Sequence, residues 1–489
     1  MAGPHALVFP WPLQGHINGM LHFATALLDS GVHVTFLHTD HSLRRLGRAA
    51  TASASPRFRV LSVPDGLPDD HPRSAGDLAE IAESMRTATA AVYRALLASL
   101  VSAGGSPSHP GDAVDGGFPP VTCVVADGLL PFAIDVAEEL GVPALAFRTS
   151  SACSFLAYHS VHRLLELGEL PFPEGGDLDA PVRGVPGMEG LLRRRDLPIQ
   201  CRRCTQTHDD PVLRMAVTAT VHTRNARALV FNTAASLERA ALAQIAPHVR
   251  DVFAVGPLHA ASPSPAAATA SLWREDDGCL AWLDGQADRS VVYVSLGSLA
   301  VLSREQLAEF LSGLLAAGYP FLWVLRPDMV DAGQDAALRE AIAAAGKDAR
   351  VVAWAPQRDV LRHRAVGCFL THAGWNSTME GVAEGTPMVC WPFFGDQQVN
   401  SRFVAAVWGV GLDMKDACDR AVVERAVREA MESEEIRTSA QAMAQRVRRD
   451  VADGGSSATE LKRLVRFIKE LSKPAAESPR SAESEHQVA

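Results

Sequence analysis

A chain of 489 residues exceeds what one hydrophobic core organises, so at least two large domains are expected. Its 47% hydrophobic and 21% charged residues are ordinary for a globular protein. The net charge of −10 argues against nucleic acid or an anionic membrane surface as a general partner, so an anionic ligand must be held locally.

The N-terminus, MAGPH, has no positively charged run, and Pro, Gln, Gly, His and Asn interrupt the uncharged stretch 6–28. Neither a signal peptide nor a membrane helix is predicted. Eight scattered cysteines suit reduced thiols, and a cytoplasmic monomer is expected. Cys201 and Cys204 form a lone C-x-x-C with His208 nearby, without a second ligand pair; they read as unremarkable thiols.

HALVFP is a short apolar strand. The turn PWPLQGHINGM follows, then a helix carrying Met20, Phe23, Ala24, Leu27 and Leu28 at helical spacing and closed by Gly31. VHVTFLHT is the second strand. The stretch 101–120 is a Gly/Pro/Ser-rich loop, VTCVVAD the next strand, PFAIDVAEELG its helix, and PALAF another strand. Strands alternating with helices predict a parallel, doubly wound sheet. The Ala/Pro/Ser stretch 259–271 is the predicted interdomain linker, separating an N-terminal domain (1–258) from a C-terminal one (272–457). The alternation then restarts: SVVYVSLG, a helix opened by a Ser303/Gln306 capping box, FLWVLR, VVAW, GCFLTH and PMVCWP. An amphipathic helix over 458–472 and a disordered tail over 473–489 complete the chain.

The first turn stands where a dinucleotide fold places its phosphate loop. Only Gly15 and Gly19 are present, so the G-x-G-x-x-G fingerprint is missing, although Asp40 mimics a ribose-binding acid. His16 instead ends the first strand. Imidazole accepts a proton near neutrality, and a carboxylate such as Asp127, at the end of another strand, fixes its tautomer. Two structural readings stand equally beside this one: His16 as a hydrogen-bonded structural histidine, and Asp127 as a helix cap ahead of Pro131.

The densest constellation is residues 354–397. GCFLTHAGWNSTMEG reads strand, tight turn, helix, and Ser377 with Glu380 fits a capping box opening the helix near Asn376. Its free N–H groups make an anion site, with Gly374 allowing close approach and His372 adding a donor, charged if a diphosphate raises its pKa. Gly297 and Ser298 end a neighbouring strand. Trp354 offers a stacking face, Gln357 an amide, and Asp396 with Gln397 a group suited to sugar hydroxyls. Taken singly, Trp354 reads as core, Glu380 as a cap and Asp396 as an N-cap. Their concentration at successive strand ends points to one shared ligand.

This block resembles the signature box of plant UDP-glycosyltransferases acting on small metabolites, in WAPQ, VLRHRAVGCFLTHAGWNSTMEG and WPFFGDQ. QGHIN, FRTSSA, PGMEGLLRRRDLP, FNTAASLE, FAVGPL and VVYVSLGS extend the likeness over nearly the whole chain. The resemblance implies a GT-B fold: two Rossmann-like, doubly wound α/β domains facing across a cleft, the C-terminal helix crossing back to the first. It implies that Trp354 stacks on uracil, with Ala355 and Gln357 beside the uridine, and that Glu380 holds the ribose. His372, Gly374, Asn376, Ser377 and Ser298 would face the phosphates; Trp375, Asp396, Gln397 and Thr149 the sugar. His16 would be the base and Asp127 its partner. UDP-glucose is the implied donor substrate, with no cofactor and no metal. The acceptor is expected to be a small lipophilic molecule, a flavonoid-like phenol or else a terpenoid, with Phe118, Phe132, Phe155, Tyr158 and the segment 181–200 as candidate pocket residues. The sequence departs from the family at Gly19, which replaces a common proline and is expected to loosen the first helical turn. It departs again at Arg148, where some members carry an aromatic residue. Two rivals are a nicotinamide-dependent nucleotide-sugar enzyme and a non-catalytic UDP-sugar or metabolite binder.

Overall fold

A computed structural model describes residues 3–46, 55–102, 118–173, 175–203, 210–261, 273–326, 329, 340 and 346–472. Cys204, His208, the tail from 473 and most of the expected linker lie outside these residues. Residues 259–261 of that linker belong to a short helix, Leu258–Ala261.

Seven strands form the first sheet: β1 (His5–Phe9), β2 (His33–Thr39), β3 (Phe58–Val63), β4 (Cys123–Asp127), β5 (Ala144–Arg148), β6 (Ala228–Phe231) and β7 (Val252–Ala254). All pair in parallel, in the order β3-β2-β1-β4-β5-β6-β7. Six more form the second: β8 (Val291–Ser295), β9 (Phe321–Val324), β10 (Ala349–Val352), β11 (Val366–Thr371), β12 (Met388–Cys390) and β13 (Gly411–Asp413), in the order β10-β9-β8-β11-β12-β13. Strand order reverses between β1 and β4 in the first sheet and between β8 and β11 in the second. Such reversals open a crevice at the carboxyl ends of the strands, where doubly wound sheets bind ligands.

The central strands are apolar on both faces because helices cover both. Leu7, Phe9, Val124 and Ala126 enter one cluster; Ala6, Val8, Cys123 and Val125 enter the other. Each fully buried large side chain contributes about 1.5–3 kcal/mol, so these layers hold the strand ends in register. In the second sheet Val291 and Tyr293 face one layer and Val292 and Val294 the opposite one. The Ser303/Gln306 capping box forms as predicted, and Gly318, at φ +78°, ends that helix. The final helix, Ser456–Leu471, buries Leu464, Val465 and Ile468 in the first sheet's core beside Ala6 and Val8.

Candidate active site

The ends of β1 and β4 bring His16 and Asp127 together. His16 lies in the first turn of the helix Gln14–Asp29, and its Nδ1 is 2.6 Å from Asp127 Oδ2 and 2.9 Å from Thr149 Oγ1. Asp127 is 1% exposed, and its other oxygen accepts the Leu129 N–H at 2.9 Å. It caps no helix; Leu130 is the N-cap of the following one. An ionised carboxylate only accepts, so the short contact fixes the proton on Nδ1. Nε2 makes no hydrogen bond among the described residues, and the ring lines a cavity of about 650 Å³ between the two sheets. Asp40 opens a different helix and does not line this cavity.

The helix runs unbroken through Gly19. A Cβ there would lie 3.4 Å from Thr149 Cγ2 and 3.5 Å from Asn376 Oδ1, ordinary contact distances. The first turn is thus regularly helical at Gly19. Gly19 sits where the His16 helix, the end of β5 and the opposite half meet.

The ends of β8 and β11 build the facing wall, which Ser298, Trp354, Ala355, Gln357, His372, Gly374, Trp375, Asn376, Ser377, Glu380, Asp396 and Gln397 line together. Thr149 lines the same cavity from the His16 side. The helix Trp375–Glu384 starts at the cavity with Gly374 as N-cap and no side-chain cap, leaving its first N–H groups open to a ligand. The expected Ser377/Glu380 capping box does not form, because the helix begins too early for Glu380 to reach back. Glu380 instead accepts from Gln357 Nε2 at 2.6 Å; the same amide donates to Ser377 Oγ at 3.0 Å, and the Tyr293 hydroxyl donates to Gln357 Oε1 at 3.2 Å. Burial raises the Glu380 carboxyl above its ordinary value, against the Gln357 bond, which lowers it.

His372 is wedged between two glycines. A Cβ on Gly297 would lie 2.5 Å, and one on Gly374 2.4 Å, from His372 Nε2. Burial, and then the charge of Arg326, lower its pKa to about 4, so the ring is neutral without a bound anion. Ala373, between His372 and Gly374, has φ +60°, a left-handed conformation unusual for a residue with a side chain. Arg326 is buried behind the Gly297 turn and donates to Gly297 O at 2.9 Å and Ala300 O at 3.1 Å. Its charge lies beneath the surface where the diphosphate is expected.

Two of the expected ligand residues also tie the halves of the molecule together. Trp375 Nε1 donates to Asn232 O at 2.9 Å, and Asn376 Nδ2 to Gly15 O at 2.6 Å. Gln397 Oε1 accepts from Phe393 N at 2.7 Å and Phe394 N at 3.0 Å, which fixes its amide and leaves the NH₂ end for a ligand. Asp396 stands at the N-cap position of Gln397–Arg402 without a capping bond, and burial pushes its carboxyl up to about 6. Trp273 stacks on Trp354 with ring centres 6.3 Å apart.

Of the proposed acceptor-pocket residues, Tyr158 lines the cavity, as does Gln200 from the segment 181–200. Phe118, Phe132 and Phe155 do not. Phe118 packs against His5 and His33, Phe132 against Phe9 and Tyr93, and Phe155 lies beneath Arg148. Sequence reasoning also passed over Arg326, Ala373, Asn232 and Trp273. A lone arginine ending the apolar run FLWVLR was the one available signal; a left-handed alanine leaves none.

Two doubly wound parallel sheets facing across a cleft give the GT-B architecture of glycosyltransferases, here with a histidine–carboxylate pair on one wall and an uncapped helix N-terminus on the other. Comparison with known proteins narrows the class. Residues 247–448 match the family described as UDP-glucoronosyl and UDP-glucosyl transferase. The chain is 45% identical to a myricetin 3-O-rhamnoside 1,2-glucosyltransferase of Crocosmia x crocosmiiflora, covering 97% of each chain. It is 41% identical to the 7-deoxyloganetic acid glucosyltransferase of Catharanthus roseus, over 96% of this chain and 98% of that one. The crystal structure of Os79 from O. sativa with UDP superposes with a TM-score of 0.78 at 27% identity, covering 95% of this chain and all of that one. The chain belongs to the plant family 1 UDP-glycosyltransferases and is a glycosyltransferase that uses a UDP-sugar and a small acceptor.

Among the described residues no helix is long and apolar enough to cross a membrane. His71, Asp77 and Glu80 are the one grouping of metal-ligand type among them, and they lie outside the cavity.

Proposed function

We propose that the protein transfers glucose from UDP-glucose to a hydroxyl of a small lipophilic acceptor with inversion at the anomeric carbon. The observation that carries this reading is the 2.6 Å contact of Asp127 with His16 Nδ1, which leaves Nε2 at the cavity wall able to accept a proton. His16 takes the acceptor proton. The oxygen attacks the anomeric carbon as its bond to UDP breaks on the opposite face, and Asp127 stabilises the imidazolium. Charge growing on the departing diphosphate meets the N-terminus of Trp375–Glu384 and the turn at Gly297 and Ser298. Trp354 stacks the base and Glu380 takes the ribose hydroxyls. Asp396 and the free end of Gln397 take the sugar hydroxyls, with Thr149 reaching the sugar from the acceptor side. No metal or cofactor is required in this scheme.

For the acceptor, a flavonoid-like phenol is the first reading; its flavonoid skeleton, though not a phenolic hydroxyl, is supported by the Crocosmia relative's action on a myricetin rhamnoside. A terpenoid acceptor is the second reading, favoured by the relative that acts on 7-deoxyloganetic acid. Incubation with UDP-glucose and a panel of flavonols, simple phenols and terpenoid alcohols, read by mass spectrometry and by the anomeric proton coupling of the product, tests both points. A β-glucoside is expected. An α-glucoside contradicts inversion, and turnover with UDP-sugars other than UDP-glucose alone contradicts the donor.

A further inference from the structure

Three arginines are buried among the described residues: Arg73, Arg148 and Arg326, at 7%, 5% and 1% exposure. Two are satisfied within the protein. Arg73 meets both oxygens of Asp65, at 2.9 and 3.1 Å, and Arg326 meets two backbone carbonyls. Arg148 is different. Its guanidinium has five N–H donors, and among the described residues its one hydrogen bond, from Nη2, goes to the neutral hydroxyl of Thr220. Among the same residues Nε has no partner and no carboxylate lies within ion-pair distance of the group.

The position is nevertheless built. Arg148 ends β5, one residue before the Thr149 that touches His16. Its guanidinium carbon lies 4.8 Å above the Phe155 ring. Its stem crosses Gly128, where a Cβ would come 2.5 Å from Arg148 Cδ, so glycine at 128 makes the room. Arg148 and Thr220 both line the cavity, beside the apolar side chains of Leu129, Val212, Met215 and Ala216. Burial lowers the pKa of Arg148 to about 10, which leaves it charged at neutral pH. The groups that favour its charge are Asp127, already engaged by His16 and Leu129, and the Tyr158 hydroxyl. A buried charge without a counter-ion is costly, and the cost falls when an anion arrives with matching acceptors.

We propose that Arg148 is the anion-binding group of the acceptor pocket, and that among small hydroxylated apolar acceptors, whether flavonoid or terpenoid in skeleton, one carrying a carboxylate is bound more tightly than its neutral counterpart. The proposal rests on the glycosyl-transfer reading for the term acceptor and adds its chemical class. The carboxylate pairs with the open edge of Arg148, the apolar skeleton lies along Leu129, Val212 and Met215, and the hydroxyl is presented to His16.

The test uses the UDP-loaded protein and the 1-, 3- and 6-hydroxy-2-naphthoates, each against its neutral primary carboxamide of the same shape. Binding is read by naphthol fluorescence. For at least one isomer the acid is expected to bind ~10-fold or more tighter than its amide. Arg148→Met is expected to bring that ratio close to one, and Arg148→Lys to retain part of it. Because the ratio is taken within each variant, a general loss of folded protein cancels. No preference for any acid in the wild type, or a preference that survives Arg148→Met, overturns the proposal. Glucoside formation is assayed separately on the same compounds. Acid-selective binding without a glucoside leaves the Arg148 site standing and counts against the transfer reading alone.

Discussion

The crevice between β1 and β4 and the crevice between β8 and β11 are the same place in two copies of one topology. They are furnished differently. In the first, the strand ends carry a titratable pair, His16 and Asp127, one partly open to the cavity and the other buried. In the second they carry turns of minimal bulk: Gly297 at φ +78°, a left-handed Ala373, and Gly374 as a bare N-cap. Even the histidines contrast. His16 keeps a carboxylate at 2.6 Å, while His372 is closed in by two glycines with its pKa pushed down to about 4. A doubly wound sheet supplies the crevice; the residues at the strand ends decide whether it holds a base or an anion.

That contrast can be broken at either side. Asp127→Ala should lower kcat by ~10²–10³-fold while leaving the Kd of UDP near that of the wild type, since only the tautomer and charge of His16 are lost. A parallel loss of UDP binding would place Asp127 in the donor site instead. Gly374→Ala should do the reverse. Its φ of −61° suits any residue, so the added Cβ acts through His372 alone, and UDP affinity should fall by ~10–100-fold in calorimetry. Trp354→Ala removes a stacking face, and the expected weakening of UDP binding is ~5–50-fold.

A smaller effect sharpens the sugar end. Burial places the Asp396 carboxyl at about 6, so it ionises between pH 5 and 7, whereas His372 stays neutral over that range. The acceptor-only form is the one suited to sugar hydroxyls, and it is lost as pH falls through 6. KM for UDP-glucose should therefore rise ~3-fold or more between pH 7.5 and 5. In Asp396→Asn, which cannot titrate, that component of the profile should vanish; an unchanged profile would remove Asp396 from sugar recognition.

Much of this was legible in the chain because the strands are continuous apolar runs and the site residues follow them directly. The missing glycine fingerprint at Gly15 and Gly19 turned attention from a phosphate loop to His16, which lines the cavity beside Asp127. The density of strand-end side chains in the box 354–397 pointed to one place, and those side chains line one cavity. What escaped depends on contacts between distant segments. The Ser377/Glu380 spacing suits a capping box, yet Gln357, brought over on another strand end, takes Glu380. That Trp375 and Asn376 also bond Asn232 and Gly15 across the cleft could not be read from the chain. Arg148 read as a departure from a family pattern, and only burial without a carboxylate partner reveals an unanswered charge. Gly19 faces Thr149 and Asn376 across the cleft at ordinary contact distances, neighbours that its place in the sequence did not reveal.

The central claim, that the first crevice reacts and the second binds, is tested most directly by His16→Ala measured two ways on one preparation. Calorimetry with UDP and single-turnover conversion of UDP-glucose with quercetin, or with whichever panel acceptor reacts fastest, give the two numbers. The expected result is a UDP Kd within about 2-fold of the wild type and a rate lower by ~10²–10⁴-fold. A variant that retains its rate, or one whose UDP affinity falls by as much as its rate, would contradict it.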